Sequence, residues 1–232
     1  MPDDPRLAAT VLLLRDHPEH GLQVWMMERS RAVGFMPRAW VFPGGRVDPA
    51  DSDVAVRVPE DPCDVPRAAW AAGARELEEE AGVRLGDPDG YDLRGAVPWA
   101  RWITPEVEPR RYDTWFLAAA VPSGQEPRAD GVEASQGAWF APAEAIARVE
   151  AGGLPVAPPT LRTLQELSAF ATVAAALGAT RRVVPICPRF HVDSAGATWV
   201  LLPGDAGHPS TDPVAPPTRF RFDAGRWWAR PA

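Results

Sequence analysis

Apolar and polar residues follow one another in the first half of the chain in runs that predict β-strands. The run from Arg6 to Asp16 is mostly apolar between its charged ends, which is typical of a buried strand. A second apolar run covers Leu22 to Ser30, and the HPEHG segment between the two runs predicts a hairpin turn. Aromatic and apolar residues are again frequent at 91–105 and 110–122, which predicts further strands there.

The segment 67–81 changes to the period of an α-helix. At 100° per residue, Trp70, Leu77 and Ala81 fall on one side of such a helix, and this side can pack on a sheet. Gly82 follows at once and is a suitable C-terminal cap, because glycine adopts the left-handed conformation without a steric penalty. The sequence therefore predicts a helix over 67–81 that ends at Gly82.

The rest of the chain combines shorter elements with turn-rich segments. A short helix is predicted to begin near Pro142, and 158–179 predicts one long amphipathic helix that two prolines open. The segment 52–66 is rich in Asp and Pro, which predicts a loop. This mixture predicts an α+β domain with a mixed sheet over 1–179. Residues 180–232 are rich in proline, and we expect them to form a C-terminal extension of short strands packed on that domain.

Composition and charge argue against several classes of function. The formal net charge is −7, which is unfavourable for a protein that binds nucleic acid non-specifically. No apolar run is long enough to span a membrane, and the first residues lack the pattern of a secretion signal, so we expect a cytoplasmic protein. All 24 basic residues are arginine, and Lys and Asn are absent, which indicates a G+C-rich genome and predicts a bacterial source.

Four glutamates lie within five positions of the predicted helix, in the sequence ARELEEEAGV. Glu76, Glu79 and Glu80 fall together on one side, because residues three and four apart are neighbours on a helix. A solvated, charged helix face is one interpretation, and for a bare run of glutamates it is the commoner one. A divalent cation site is the other. Three converging carboxylates suit Mg²⁺ or Mn²⁺, and the ion would relieve their repulsion.

The residues around the glutamates carry a resemblance that favours the cation site. RELEEEAGV resembles the second half of the Nudix box, Arg-Glu-apolar-x-Glu-Glu-x-Gly-apolar, at every defined position. The upstream half has Gly45, five residues, and then Asp51 in place of the usual Glu. Asp51 and Arg75 are 24 positions apart where the family has eight, so the box carries 16 extra residues. This insertion coincides with the predicted loop at 52–66.

The resemblance extends beyond the box. Residues 28–51, ERSRAVGFMPRAWVFPGGRVDPAD, are similar to the segment before the box in the branch of peroxisomal coenzyme A diphosphatases and their bacterial relatives. In that branch the box is also interrupted by an insertion. The similarity covers about residues 6–177. It implies a Nudix fold, in which a mixed sheet lies between helices, and it implies hydrolysis of a nucleoside diphosphate linked to another group.

The resemblance also implies roles for residues of the box. Glu79 and Glu80 would be the main metal ligands, and Glu76 would be a further ligand and a candidate general base. The carbonyl of Gly45 would add a ligand from the preceding turn. Arg75 would orient the glutamates rather than touch the substrate. We therefore expect Mg²⁺ or Mn²⁺ as the cofactor.

Three residues outside the box are candidates for substrate binding. Glu133 lies on a segment where Nudix folds often supply another carboxylate, and an ordinary surface glutamate is an equally good interpretation. Arg29 and Arg31 could hold substrate phosphates, since guanidinium groups suit bidentate phosphate contacts. Because every basic residue here is arginine, a solvated surface pair is at least as good an interpretation of these two.

Three functions remain as alternatives. The branch resemblance favours a metal-dependent diphosphatase that acts on coenzyme A or an acyl-coenzyme A. ADP-ribose or NAD(H) is an alternative substrate, and a nucleotide-binding module without catalysis is an alternative of a different class. In each case the expected partner is a nucleotide-type small molecule, with no nucleic acid and no membrane. The C-terminal extension could supply an edge strand, a homodimer contact or a cover over the substrate.

Overall fold

The computed structural model describes residues 4–30, 36–61, 63–210, 212–223 and 225–230. Within these ranges the strands are β1 Arg6–His17, β2 Gly21–Arg29, β3 Trp40–Val41, β4 Gly44–Arg46, β5 Val56–Arg57, β6 Gly86–Asp87, β7 Gly90–Asp92, β8 Val97–Ile103, β9 Tyr112–Ala120, β10 Ala134–Phe140, β11 Pro185–Ile186, β12 Arg189–Val192, β13 Thr198–Leu201, β14 Arg219–Asp223 and β15 Arg226–Arg230. The helices are α1 Arg67–Ala81, α2 Pro142–Glu150, α3 Pro158–Leu167 and α4 Val173–Gly178, with a 3₁₀ helix at Pro49–Ser52.

The central sheet is mixed, as the sequence predicts. Its strand order is β10-β2-β1-β9-β8-β11. Two short strands pair beside this path, β3 with β2 and β4 with β1. Strand β1 pairs antiparallel with β2 and parallel with β9. Because successive side chains of a strand point to opposite faces, this sheet has two apolar faces, and each is covered by a separate layer. The predicted α+β class is confirmed.

The helix α1 covers one face of the central sheet. Trp70 and Leu77 are fully buried on this side. A Cβ at Gly73 would lie 3.2 Å from a Leu117 side-chain atom and 3.3 Å from a Val11 side-chain atom, so the helix backbone approaches the sheet closely. The helix ends at Gly82, which has φ 66° and donates its N–H to the Glu78 carbonyl. The bounds agree with those predicted from the periodicity.

The other face packs against α2, α3, α4 and the C-terminal sheet. Leu12 and Leu14 of β1 share this core with Leu164 of α3 and with Phe220 of β14. The C-terminal sheet is an antiparallel meander in the order β12-β13-β14-β15. The extension therefore contributes side chains to the same core as the domain that precedes it. No helix in the described part of the chain is long and apolar enough to cross a membrane.

The single long helix expected over 158–179 is wrong. The chain forms α3 and α4 with a break between them. Thr172 caps α4 by accepting the Ala175 N–H, and the β1–β2 hairpin takes part in the break, since Asp16 accepts the Val173 N–H at 2.8 Å. The local cap and the tertiary hydrogen bond from Val173 replace helical ones, so the amphipathic pattern alone misses the break.

The insertion at 52–66 is not purely a loop. Strand β5 lies inside it and pairs in parallel with β7, and β6 pairs antiparallel with β7 to complete a three-stranded sheet. Arg67, at the start of α1, donates to the Val56 carbonyl at 2.5 Å. The insertion thus contributes one strand to a small sheet beside α1, and the other two strands come from residues 86–92.

Candidate functional site

The turn between β3 and β4 lies directly against the glutamate side of α1. The Gly44 N–H donates to Glu80 Oε2 at 2.8 Å. A Cβ at Gly45 would collide with the carboxylate of Glu76, so only glycine fits there without displacing that side chain. The two glycines therefore allow a strand backbone to approach two helix carboxylates at once. The structure brings Gly45 next to Glu76, and the use of its carbonyl as a metal ligand stays a prediction.

Arg75 connects the acidic residues of the site. Its Nη1 donates to Glu76 Oε1 and to Glu79 Oε2, both at 2.9 Å. Its Nε and Nη2 donate to the two oxygens of Asp51 at 2.9 and 3.1 Å. One guanidinium thus fixes the positions of two helix glutamates and is itself fixed by a third acid. This geometry suits the orienting role expected for Arg75, and that role stays a prediction.

Asp51 is an anchor whose use the sequence reasoning missed. Its side chain is 1% exposed, and besides Arg75 it accepts the Asp48 N–H at 2.8 Å. Every oxygen of this carboxylate therefore already has a donor, which leaves it poorly suited to bind an ion. The DPAD sequence holds a signal for this contact, because an acid three residues after an N-cap commonly bonds back to the cap N–H.

Burial and the charges of neighbouring carboxylates raise the pKa values of two glutamates of the site. Burial raises the pKa of Glu80 to about 8, against the opposing effect of the Gly44 N–H. Burial also raises the pKa of Glu76, whereas Arg75 lowers it. The carboxylate of Glu133 adds to the rise at both positions. At Glu80 the charges of Glu76 and Glu133 thus add to the larger effect of burial, and a bound cation would oppose both.

The donor chemistry of the site fits a hard divalent cation, since every candidate ligand is an oxygen. Across the described residues, however, no three acidic, His or Cys side chains are already arranged so that they could hold a metal ion. The reason is visible in the contacts, because Glu76 and Glu79 face Arg75 whereas Glu80 faces Gly44. Glu79 is 58% exposed, so its side chain can turn at little cost.

The candidates for substrate binding lie beside the glutamates where they are described. Arg29, at the end of β2, lowers the pKa of Glu80 by its charge, so it lies within electrostatic range. Its Nε is buried and has no hydrogen-bond partner among the described residues. The Glu133 carbonyl accepts the Ser30 N–H at 2.8 Å, which holds that loop against the end of β2. Arg31 lies outside the described residues.

Glu78 points away from the other glutamates, as the helical period predicts. Its Oε2 accepts the Tyr91 hydroxyl at 2.8 Å and the Arg84 Nη1 at 2.6 Å. The guanidinium of Arg84 also lies over the Tyr91 ring, 4.6 Å from its centroid. Glu78 therefore ties α1 to the small sheet, and it takes no part in the cluster.

A family model described as NUDIX domain matches residues 4–162. The fold is similar to the crystal structure of a NUDIX hydrolase from Alicyclobacillus acidocaldarius, with a TM-score of 0.69 and 25% identity. That similarity covers 77% of this chain and 98% of the solved one. The match to the family model includes the glutamates, both glycines and the insertion.

Two curated proteins are also similar to this chain. A nudix hydrolase of Caenorhabditis elegans is 28% identical over 177 residues, which is 63% of this chain and 56% of that protein. The chain thus spans about half the length of that relative. An acyl-coenzyme A diphosphatase of Gallus gallus is 25% identical over an alignment of 305 positions, gaps included, which covers 88% of this chain and 80% of that protein.

Proposed function

This chain belongs to the NUDIX family, and on that premise we propose that it is a metal-dependent pyrophosphohydrolase acting on coenzyme A or an acyl-coenzyme A. The observation that carries the proposal is the cluster of Glu76, Glu79 and Glu80 beside the Gly44–Gly45 turn, in which two carboxyl groups have a raised pKa. The substrate is inferred from the similarity to an acyl-coenzyme A diphosphatase, together with the insertion inside the box.

Glu76, Glu79, Glu80 and the carbonyl of Gly45 are the groups that would hold Mg²⁺ or Mn²⁺. Such an ion, when bound, supplies positive charge against the diphosphate and makes a bound water more acidic. Arg75 contributes by holding Glu76 and Glu79 side by side, through its two 2.9 Å hydrogen bonds. Asp51 contributes by fixing Arg75 from the buried side.

The proposed reaction is hydrolysis of a phosphoric anhydride. A water oxygen forms a bond to one phosphorus atom, and the bond from that phosphorus to the bridging oxygen breaks. Glu76 is the candidate general base that takes up the proton of the water, and burial raises the pKa of its carboxyl above the ordinary value, which is the direction that strengthens a base. Arg29 and Arg31 are proposed to contact the phosphates, and Glu133 to contact substrate or water. The products from coenzyme A would be 3′,5′-ADP and phosphopantetheine.

Product analysis over a substrate panel tests this proposal. The panel contains coenzyme A, an acyl-coenzyme A, ADP-ribose and NADH, each with Mg²⁺ and then with Mn²⁺. The site variant is Glu79→Gln/Glu80→Gln. The matched control is Glu144→Gln/Glu150→Gln, which removes two exposed carboxylates from α2. We expect the site variant to lower kcat/KM by about a hundredfold or more, the scale of losing one preorganised electrostatic group, with no change in the control.

The same assay separates the alternatives. Preferential cleavage of ADP-ribose or NADH would assign the site to those substrates and would contradict the coenzyme A proposal. Tight nucleotide binding without turnover in either ion would favour a catalytically silent module. Equal activity of the site variant and the wild type would show that the glutamates are only a charged helix face.

A further inference from the structure

The C-terminal sheet has one face in the core and one face in solvent. Val200 and Phe220 are buried, whereas the residues beside them on β13 and β14 point to the opposite face. In the register of the sheet, His191 pairs with Trp199, which pairs with Arg221, and Arg189 and Arg219 both align with Leu201. Directly paired residues share a face. We call this outer surface the arginine face, and it is formed by Arg189, His191, Trp199, Leu201, Arg219 and Arg221.

A depression of about 330 Å³ lies on the arginine face. Arg189, His191 and Arg219 stand at its sides, and Trp199 and Leu201 provide apolar surface. Pockets for small ligands start at about 300 Å³ and combine apolar walls with a few polar groups. The depression is therefore large enough for a nucleotide-sized molecule and has the mixed lining that such molecules need.

The ring of Trp199 is held in place from several sides. Its Nε1 donates to Asp193 Oδ2 at 2.8 Å. The guanidinium carbons of Arg219 and Arg221 lie 5.6 and 5.8 Å from its ring centroid, within the range of cation–π contacts. A fixed aromatic ring at a pocket wall provides a surface on which a flat ligand ring can stack without first ordering a side chain.

The charge left over in the depression is positive. Both oxygens of Asp205 are used by Arg219 at 2.8 Å, and Asp193 accepts two backbone N–H groups besides Trp199. In the part of the chain that the structure describes, Arg189 and His191 have no hydrogen bond or ion pair through their side chains. The Arg221 Nε is buried and also lacks a hydrogen-bond partner there. The Arg189 guanidinium and the His191 ring therefore offer unused N–H donors, and the guanidinium adds a positive charge, which together suit an anion.

We propose that this depression is a second ligand site, which binds a small molecule that joins a flat ring to a phosphate, of the nucleoside phosphate class. The ring stacks on Trp199, and the phosphate accepts hydrogen bonds from Arg189 and His191. The site is separate from the glutamates of α1, because the C-terminal sheet packs on the other face of the central sheet. It does not depend on the proposed function.

A small ligand fits this surface better than a nucleic acid does. The chain as a whole carries a formal net charge of −7, which repels a long polyanion, whereas a single phosphate meets only the local positive charge.

Calorimetric titration of the wild-type chain tests the proposal, with EDTA present so that divalent ions are absent. The three ligands are AMP, adenosine and inorganic phosphate. The variant is Arg189→Gln/His191→Gln. The matched control is Arg182→Gln/His20→Gln, which removes the same two residue types from exposed positions elsewhere. We expect AMP to bind at least tenfold more tightly than either fragment, and the variant, but not the control, to weaken AMP binding at least tenfold.

Four results would overturn the proposal. AMP could fail to bind at millimolar concentration. Phosphate alone, or adenosine alone, could bind as tightly as AMP, and then a joint ring and phosphate site is wrong. AMP binding could instead be lost in Arg29→Gln and retained in Arg189→Gln/His191→Gln, which would place it at the glutamate site. A single-stranded oligonucleotide could bind through Arg189 and His191 far more tightly than AMP, which would make the partner a nucleic acid.

Discussion

Two regions of the molecule contain the same kind of contact, an arginine hydrogen-bonded to a buried aspartate. In one region the neighbouring side chains are mostly acidic, and in the other they are mostly basic. Beside α1, Arg75 bonds both oxygens of Asp51, and its remaining Nη1 serves Glu76 and Glu79. In the C-terminal sheet, Arg219 bonds both oxygens of Asp205 and lies over the Trp199 ring. The two aspartate side chains are 1% and 0% exposed.

The difference lies in what surrounds each pair. Around Arg75 there are more carboxylates than the guanidinium can neutralise, so negative charge accumulates next to a glycine turn. Around Arg219 the acids are saturated, and the unpaired groups are Arg189 and His191. A fixed Arg–Asp pair therefore does not decide whether the net charge around a site is positive or negative. It fixes geometry, and the neighbouring residues decide whether a cation or an anion is complementary.

The largest effect is expected from Arg75→Gln. The change leaves Asp51 buried without its cation, which should lower the free energy of unfolding by about 3 kcal/mol. It also frees Glu76 and Glu79, so kcat/KM should fall in the folded protein as well. Urea denaturation and the diphosphatase assay measure the two effects. The control is Arg148→Gln, whose pair with Glu144 is exposed and should be worth at most about 0.5 kcal/mol. Similar small losses in both variants would contradict the anchor role of Asp51.

A somewhat smaller loss is expected from Arg219→Gln. Arg219 is 34% exposed, so solvent can reach the unpaired Asp205 more easily than Asp51, and we expect a loss of about 2 kcal/mol. Hydrogen bonds from Arg219 lower the pKa of Asp205 below its unfolded value. This pair therefore stabilises the protein above that unfolded value, and the contribution is lost as the pH falls through the lower, folded pKa.

Urea denaturation at pH 7 and at progressively lower pH checks that prediction. The difference between wild type and Arg219→Gln should shrink on acidification. The control Arg182→Gln removes a surface partner of Asp212 and should change stability little at any pH. A difference that stays constant from neutral to strongly acidic pH would show that Arg219 acts through packing rather than through Asp205.

Glu80→Gln should stabilise the protein in the absence of divalent ions. The pKa of Glu80 is raised to about 8, so the folded state binds a proton more tightly than the unfolded chain does, and stability falls as the pH rises from about 4 toward 8. Glutamine removes this cost and keeps an acceptor for the Gly44 N–H. With EDTA at pH 8 we expect a gain of about 1 kcal/mol, and at pH 4 almost none. A loss of stability at pH 8 would contradict a cost of holding the Glu80 carboxylate ionised in this buried position.

The smallest effect is expected from Tyr91→Phe. It removes the hydroxyl that donates to Glu78, while Arg84 continues to bond that carboxylate. The loss should be about 0.5–1 kcal/mol in urea denaturation. Tyr112→Phe is the matched control, because the described contacts give its hydroxyl no partner. A loss of several kcal/mol would mean that the small sheet holds α1 more firmly than these contacts imply.

The fold follows from the sequence wherever local and tertiary preferences agree. The bounds of α1 could be predicted because Trp70, Leu77 and Gly82 set the packed side and the end of the helix in the same way as the structure does. The break between α3 and α4 could not be predicted, since it depends on Asp16 of a distant hairpin accepting the Val173 N–H.

The candidate site shows the same division. The helical period brings Glu76 and Glu79 together on one side, and it places Arg75 four residues before Glu79, where the structure contains their ion pair. Two further contacts of the site join residues that are distant in sequence. Arg75 and Asp51 are 24 positions apart, and Gly44 and Glu80 are 36 positions apart. Contacts over such separations depend on how the sheet and helix pack, and periodicity carries no information about them.

The central claim, that the glutamates of α1 form a cation site, is tested most directly by titrating the protein with Mn²⁺ and following free Mn²⁺ by electron paramagnetic resonance. The wild type and Glu144→Gln/Glu150→Gln should bind Mn²⁺ saturably with equal affinity. Glu79→Gln/Glu80→Gln should bind it at least tenfold more weakly, which is about 1.4 kcal/mol. The absence of saturable binding by the wild type, or equal binding by all three proteins, would contradict the claim.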